Sequence, residues 1–300
     1  MEAMKEMGEI IARHIKADGV EASSLPRVTL IRSSRVTEPM PTVYEPSLCI
    51  VVQGRKQAVV ADRTYLYDAA KLLLVSVDLP VLGSVVEASP EQPYLCVSLG
   101  LDLPALSELM LDCGPAPAPA ETPPPGIVLG EADPALFEAL LRLLRLLDSP
   151  ADAAVLAPLA EREILYRLLR GGQSAMVRHI ATAESHLSRI SRAIAWIKRR
   201  FREPMSVERL AIEAGMSPSS FHEHFRAVTG MSPLKFRTRL RLMEARRLMV
   251  SEGLDAATAG FRVGYESPSQ FSRDYRSAFG APPLRDVSRL RASAAYQMVA

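Results

Sequence analysis

Apolar positions recur along this chain in more than one rhythm. Over Met1–Lys16 they return at helical spacing, with Ile10, Ile11 and Ile15 on one face, which predicts a short amphipathic helix. From Val28 to Leu101 the rhythm shortens to β-branched and aliphatic runs: Leu48–Val52, Ala58–Val60, Leu72–Val77 and Tyr94–Leu99. Gly54, Asp62-Arg63, Pro80, Gly83 and Pro90 punctuate these runs, and short strands at that spacing predict a compact β barrel or sandwich. Gly54-Arg-Lys56 reads as a tight turn between strands with its basic pair exposed.

The stretch Gly114–Gly126, GPAPAPAETPPPG, can neither continue a helix nor join a sheet interior, so it is a linker or long loop. Beyond it, Asp133-Pro134 supplies a cap and a first-turn proline for a helix over Ala135–Leu147, whose leucines surround nearly the whole cylinder. A second helical run, Pro158–Arg170, stops at Gly171-Gly172. These two helices either form a subunit interface or pack onto the β domain. The pattern gives an α+β chain: residues 1–130 a β domain with flanking helices, 131–185 a helical linker and dimerisation region, and 186–300 an all-α domain.

Within that last part the sequence repeats itself at an offset of 50 residues. Ser217-Pro-Ser-Ser-Phe221-x3-Phe225 returns as Ser267-Pro-Ser-Gln-Phe271-x3-Tyr275, and Gly230-Met-Ser-Pro233-Leu234 returns as Gly280-Ala-Pro-Pro283-Leu284. Upstream, Leu210–Met216 matches Ala259–Tyr265 at an offset of 49. Each copy has the parts of a helix-turn-helix. Small residues let a first helix pack closely, a glycine takes positive φ at its end, and a serine caps a second helix that begins with proline. Ser206 and Asp255 are the expected caps of the two first helices.

At about 100° per residue the second helices have two faces. Phe221 and Phe225, and in the second copy Phe271, Tyr275 and Phe279, point toward a core. The opposite faces carry Ser219, Glu223 and Arg226, flanked by Ser220 and His222, and Ser269, Arg273 and Arg276, flanked by Gln270 and Ser272. These residue types read bases: Arg forks onto guanine, Gln onto adenine, and Glu accepts from cytosine. Between the copies Pro233–Val250 reads as one helix, about 26 Å long at 1.5 Å per residue, able to hold two reading helices near one turn of DNA apart. Lys235, Arg237, Arg239 and Arg241 crowd its start as candidate phosphate contacts.

Charge sharpens this picture. The net charge is only +2, but between His186 and Arg291 there are 20 Lys and Arg against 10 Asp and Glu. That stretch carries +10 and the remainder −8, as expected where a nucleic-acid-binding domain adjoins one that does not bind nucleic acid. The apolar runs are too short for a membrane span and Met1–Gly19 lacks a signal peptide's uninterrupted core, so a soluble, cytoplasmic protein is expected. Three scattered cysteines give no disulfide framework.

Met231-Ser-Pro-Leu-Lys-Phe, Arg241-Leu-Met-Glu-Ala-Arg-Arg-Leu and Gly264-Tyr-Glu-Ser-Pro-Ser-Gln-Phe-Ser-Arg-Asp-Tyr resemble the signature of AraC/XylS-type transcription regulators. Val43-Tyr-Glu-Pro-Ser-Leu-Cys-Ile-Val-Val-Gln-Gly-Arg-Lys, with Leu74-Val-Ser-Val-Asp-Leu-Pro-Val, resembles the N-terminal domain of one branch of that family. The resemblance implies a cupin-like β fold used for effector response or dimerisation, and second helices placed in the major groove. It implies double-stranded DNA, a second copy of the chain, RNA polymerase and a small effector as partners, and an activator's role. Family copies often carry Arg where this chain has Glu223.

The main alternative is a cupin-type enzyme with a fused DNA-binding tail. Such enzymes hold a metal through clustered histidines, and Ala17–Val177 contains none, so neither enzymatic activity nor a cofactor is expected. A nucleoid or RNA-binding protein, with little preference among DNA sequences, is a third reading. His222 and His224, two apart on a helix, cannot share a metal; His224 reads as a packed residue and His222 as a DNA contact. Cys49 and Cys96 fall in predicted strands, where cysteine usually acts as a small hydrophobe; the sharper reading makes them effector or redox sensors. Trp196, with Ile197 and Phe201, reads as core.

Overall fold

Strand residues here alternate between two packed faces. The computed structural model describes residues 2–69, 71–113, 124–182 and 185–292, and the chain divides into two compact units, Met1–Arg189 and Ile190–Ala300. Among the described residues of the first unit ten antiparallel strands form two sheets. One holds β1 (Gly19–Ala22), β2 (Val28–Ser33), β9 (Tyr94–Gly100), β4 (Ser47–Gln53), β7 (Lys71–Val75) and β10 (Ile127–Glu131) in that order. The other holds β3 (Met40–Tyr44), β8 (Leu79–Glu87), β5 (Arg55–Val60) and β6 (Arg63–Asp68).

Register decides what each face does. Leu48 and Ile50 of β4 lie opposite Leu99 and Val97 of β9, on the face that α1 (Glu2–His14) covers with Met7, Ile10 and Ile11. Cys49 lies opposite Ser98, and Val51 opposite Cys96, on the other face. That face meets the second sheet, where Lys56 of β5 lies opposite Tyr67 of β6 and Val85 of β8. Gly54 turns the chain from β4 into β5 at φ +79°, where a Cβ would lie 2.5 Å from the Glu87 carbonyl oxygen. The turn is as expected, but its basic pair is not exposed: Arg55 and Lys56 are half-buried strand residues and Lys56 points inward.

Pro80 and Gly83, expected to interrupt strands, lie inside β8. Pro80 is opposite Val43 of β3, and the ladder to β5 starts only at Leu82, so the missing amide removes no bond on that side. Helix α2 (Leu103–Asp112) was not expected, although Asp102 caps it by accepting from the Ala105 amide. The spacer at 114–126 lies mostly outside the described residues. Helix α3 (Pro134–Arg145) starts at the expected cap, Asp133 accepting from the Leu136 amide, and buries Leu140, Leu141, Leu143 and Leu144 inside the first unit. Helix α4 (Pro150–Arg170) starts earlier than expected and runs through Pro158. Ala151, Ala153, Ala154 and Ala157 ahead of it are strong helix formers that help offset the bond that the proline forfeits. Helix α5 (Ser174–Ala181) packs beneath α2 and α4.

Among its described residues the second unit is all-helical: α6 (His186–Arg200, entering from the first unit), α7 (Val207–Ala214), α8 (Pro218–Thr229), α9 (Pro233–Ser251), α10 (Ala256–Arg262), α11 (Pro268–Phe279) and α12 (Pro283–Ala292). Trp196 and Ile197 are buried in it, as expected. α9 packs against both α8 and α11. Phe225 meets Phe236 of α9 edge-on at 5.5 Å in the first copy. In the second, Leu242, Ala245 and Met249 of α9 close over Ala259, Val263, Phe271 and Tyr275. Among the described residues no helix is long and apolar enough to cross a membrane.

Candidate nucleic-acid interface

Each helix-turn-helix is set by caps and one turn glycine. Ser206 accepts from the Arg209 amide at 3.2 Å to start α7, and Asp255 accepts from the Ala257 and Thr258 amides at 3.0 Å to start α10. α7 ends at Gly215, φ +62°, and α10 runs into Gly264, φ +92°. Ser217 and Ser267 then accept from the Ser220 and Gln270 amides to start α8 and α11, each with proline in its first turn. Side-chain capping of this kind satisfies otherwise orphaned amides and fixes where each second helix begins.

The aromatic faces go inward: Phe221, Phe225 and Phe271 are fully buried, as is Tyr275, while Phe279 is half-buried against Tyr275. The polar faces go outward. Ser219, His222, Glu223 and Arg226 of α8 are exposed, and so are Ser269, Gln270, Ser272, Arg273 and Arg276 of α11; Ser220 is half-buried. His224 is also half-buried, its Nδ1 within 2.7 Å of the Ser220 carbonyl oxygen. Arg226, Arg273, Arg276 and Lys235 form no ion pair with any described residue. Arg202, Arg209, Arg247 and Arg262 do, with Glu244, Glu213, Glu244 and Glu252. Unpaired exposed guanidiniums on a capped helix are free to bind an outside anion or base edge.

The four basic residues at the start of α9 separate. Lys235 is exposed; Arg237 is half-buried, its Nη1 donating to the Glu203 carbonyl at 3.4 Å; Arg239 is half-buried, and burial pulls its pKa down. Arg241 departs from the expected phosphate contact. Its guanidinium is buried and donates to the carbonyls of Phe201 (2.6 Å), Gly264 (2.7 Å) and Arg202 (3.0 Å). Those donors are spent on backbone oxygens that would otherwise be orphaned, so Arg241 ties the end of α6 to the second turn.

The two cysteine candidates also separate. Cys96 is buried and burial pushes its thiol up to about 12, which keeps it protonated and unreactive at cellular pH. Cys49 is half-buried, its thiol 3.4 Å from Ser98 Oγ. Among the described residues no group of three His, Cys, Asp or Glu is placed to hold a metal.

Two capped helix-turn-helix units braced by one helix define a DNA-binding transcription regulator. The AraC-type transcriptional regulator N-terminus model matches residues 24–176, about half the chain, and a helix-turn-helix domain model matches residues 210–288; the chain belongs to the AraC/XylS-type transcription regulators. The HTH-type transcriptional activator RhaS of Escherichia coli O1:K1 / APEC is 25% identical over 132 residues, 43% of this chain and 46% of that protein. RhaS of strain HS is 28% identical over 108 residues, 35% of this chain and 38% of that one. The chain thus matches less than half the length of these curated relatives. ToxT from Vibrio cholerae O395, solved with (E)-4-(8-methylnaphthalen-1-yl)but-3-enoic acid, superposes with a TM-score of 0.55 at 11% identity, covering 87% of this chain and 97% of that one. ToxT of strain SCE256, bound to unsaturated fatty acid, gives 0.52 at 13% identity over 87% and 93%. At such identities the likeness is one of fold.

Proposed function

We propose that α8 and α11 enter two successive major grooves and read base edges through Ser219, Ser220, His222, Glu223 and Arg226, and through Ser269, Gln270, Ser272, Arg273 and Arg276. Lys235, Arg237 and Arg239 then lie at phosphates. The observation that carries this reading is the set of repeat-related guanidiniums, Arg226 and Arg276, joined by Arg273, exposed and without ion-pair partners among the described residues. At 19 residues, α9 is about 28 Å long at 1.5 Å per residue, near the spacing of adjacent major grooves. Arg273→Ala is expected to weaken binding to the specific operator by about 1–3 kcal/mol and to relax one base preference, whereas Lys235→Ala weakens binding to all sequences and flattens the salt dependence. Footprinting and salt titrations on specific and random duplexes check this; equal losses on both duplexes from Arg273→Ala would remove its reading role.

The first unit is the effector domain on this reading, and the acid-bound ToxT structures support a small-molecule effector. A homodimer is supported by α4, where Val155, Leu159 and Tyr166 share one exposed face beside Leu156. Leu159→Glu is expected to shift the protein toward monomer in sedimentation if that face pairs subunits. The protein acts in the cytoplasm, contacts RNA polymerase as an activator does, and has neither enzymatic activity nor cofactor. The naming of RhaS as a transcriptional activator supports activation.

A further inference from the structure

The second helices of the two hairpins are built alike and differ in the sign of one exposed residue. α8 and α11 are both 12 residues long, begin at a serine whose side chain accepts from the amide three residues on, and end at a glycine with φ of 72° and 76°. Their inner faces match too. The Phe221 and Phe225 rings lie 5.4 Å apart at 56°, and those of Phe271 and Tyr275 lie 5.5 Å apart at 61°. Equal caps and equal anchors put residues 50 apart in sequence at the same turn and on the same face. Six residues past the cap that face carries Glu223 in α8 and Arg273 in α11, both exposed.

Among the exposed positions of the two helices only this one inverts charge. Ser219 and Arg226 return as Ser269 and Arg276. The unlike pair His224 and Asp274 is half-buried and engaged within the fold: His224 Nδ1 lies 2.7 Å from the Ser220 carbonyl oxygen, and Asp274 accepts from the Tyr265 hydroxyl at 3.2 Å. Glu223 has no ion-pair partner among the described residues, although Arg226 stands one turn further along. A carboxylate on a face presented to phosphates weakens binding to every duplex, and no intramolecular contact offsets that loss.

The major groove offers few groups that a carboxylate can hold. Guanine presents two acceptors, O6 and N7, which repel it and onto which a guanidinium forks. Adenine presents its donor beside its own N7 acceptor, whereas cytosine presents the N4 donor alone. We propose that Glu223 sets the specificity of α8 by taking cytosine and rejecting guanine, at the place in its half-site where Arg273 takes guanine in the other. The two half-sites then differ at that base, and one protomer seats on them in a single orientation. The proposal rests on α8 and α11 reading bases, and adds which base the first of them selects and which it excludes.

The test is selection of bound sequences from a pool of random duplexes by the full-length protein. Competition binding follows, on the selected duplex with each position changed to each base. Cytosine is expected to be favoured over guanine about 10- to 100-fold at one position of the α8 half-site. Glu223→Arg is expected to reverse that preference to guanine and to steepen the salt dependence, and Arg273→Glu to make the reciprocal change in the other half-site. Arginine already occupies this position in α11, so the Glu223→Arg chain is expected to fold, with a melting temperature close to that of wild type. Three results would overturn the proposal: the same base selected at both places, a wild-type preference retained by Glu223→Arg, or an equal gain on all duplexes from Glu223→Ala. The last would make the carboxylate only a repellent of phosphates. A wild-type protein that enriches no sequence at all would remove base reading itself, which is a different failure.

Discussion

Arg246 of α9 and Asp286 of α12 meet in a buried two-pronged ion pair, Nε to Oδ2 at 2.7 Å and Nη2 to Oδ1 at 2.9 Å. Tyr275 of α11 donates its hydroxyl to the same carboxylate at 2.8 Å, and Arg289 adds a contact at 3.0 Å. The Arg246 guanidinium also lies 4.6 Å from the centre of the Phe279 ring. One carboxylate thus holds three helices of the second helix-turn-helix, and α11, the one that presents Arg273, is among them.

Asp286→Ala is expected to destabilise the second unit by about 3–5 kcal/mol, because it leaves Arg246 buried without its anion. Replacing both partners by apolar residues, Arg246→Met with Asp286→Leu, should cost less than the single change. Urea unfolding of the three variants, compared as a mutant cycle, checks the ordering.

The same carboxylate gives an acid limit. Burial alone would raise the Asp286 pKa, but the hydrogen bonds from Arg246, Tyr275 and Arg289 win and hold it below the usual carboxylate range. A depressed folded pKa means that the stabilisation is present above the unfolded value, about 3.9, and is lost as pH falls below it through the folded value. Melting temperatures of wild type and Asp286→Asn should therefore converge in acid and diverge toward neutral pH.

The two turn glycines should answer differently to alanine. At Gly215 nothing lies within 4 Å of an added Cβ, so only the left-handed backbone penalises alanine, by about 1 kcal/mol. At Gly264 the Cβ would fall 2.3 Å from the Arg202 carbonyl oxygen and 2.8 Å from Arg241 Nη2. Gly264→Ala is expected to lower the melting temperature well beyond Gly215→Ala, and to release Arg241 as it does so.

Arg241→Ala is expected to behave as a core lesion. It should lower stability in denaturant titrations and leave the salt dependence of DNA binding, measured below the transition, close to that of wild type. Lys235→Ala should do the reverse.

The two hairpins were legible because their chemistry is local. Ser-Pro starts, a glycine at each turn, and aromatics four apart at 221 and 225, and at 271 and 275, specify them without reference to partners. Arg241 was misread because α9 is enclosed on several sides. Buried Phe236, Leu240, Arg241, Ala245 and Met249 leave no single apolar stripe, so periodicity did not say which arginines point inward. The Arg246–Asp286 pair was invisible for another reason: 40 residues separate the partners, and only the packed fold brings them together. Lys56 left a trace that went unused, since a basic residue in phase with Ala58 and Val60 breaks the alternation of an otherwise regular strand. Strand β8 was hidden by Pro80 and Gly83, which punctuate a sequence more strongly than they disturb this particular ladder.

Since α9 sends Phe236 into one hairpin and Arg246 into the other, its uninterrupted length works as a ruler between the two heads. Inserting a single residue into that ruler would turn one head by about 100° about the axis and advance it by about 1.5 Å. If the two heads read successive grooves as proposed, the distance between the half-sites is written into the phase of one helix, and an operator could change its letters far more easily than its spacing.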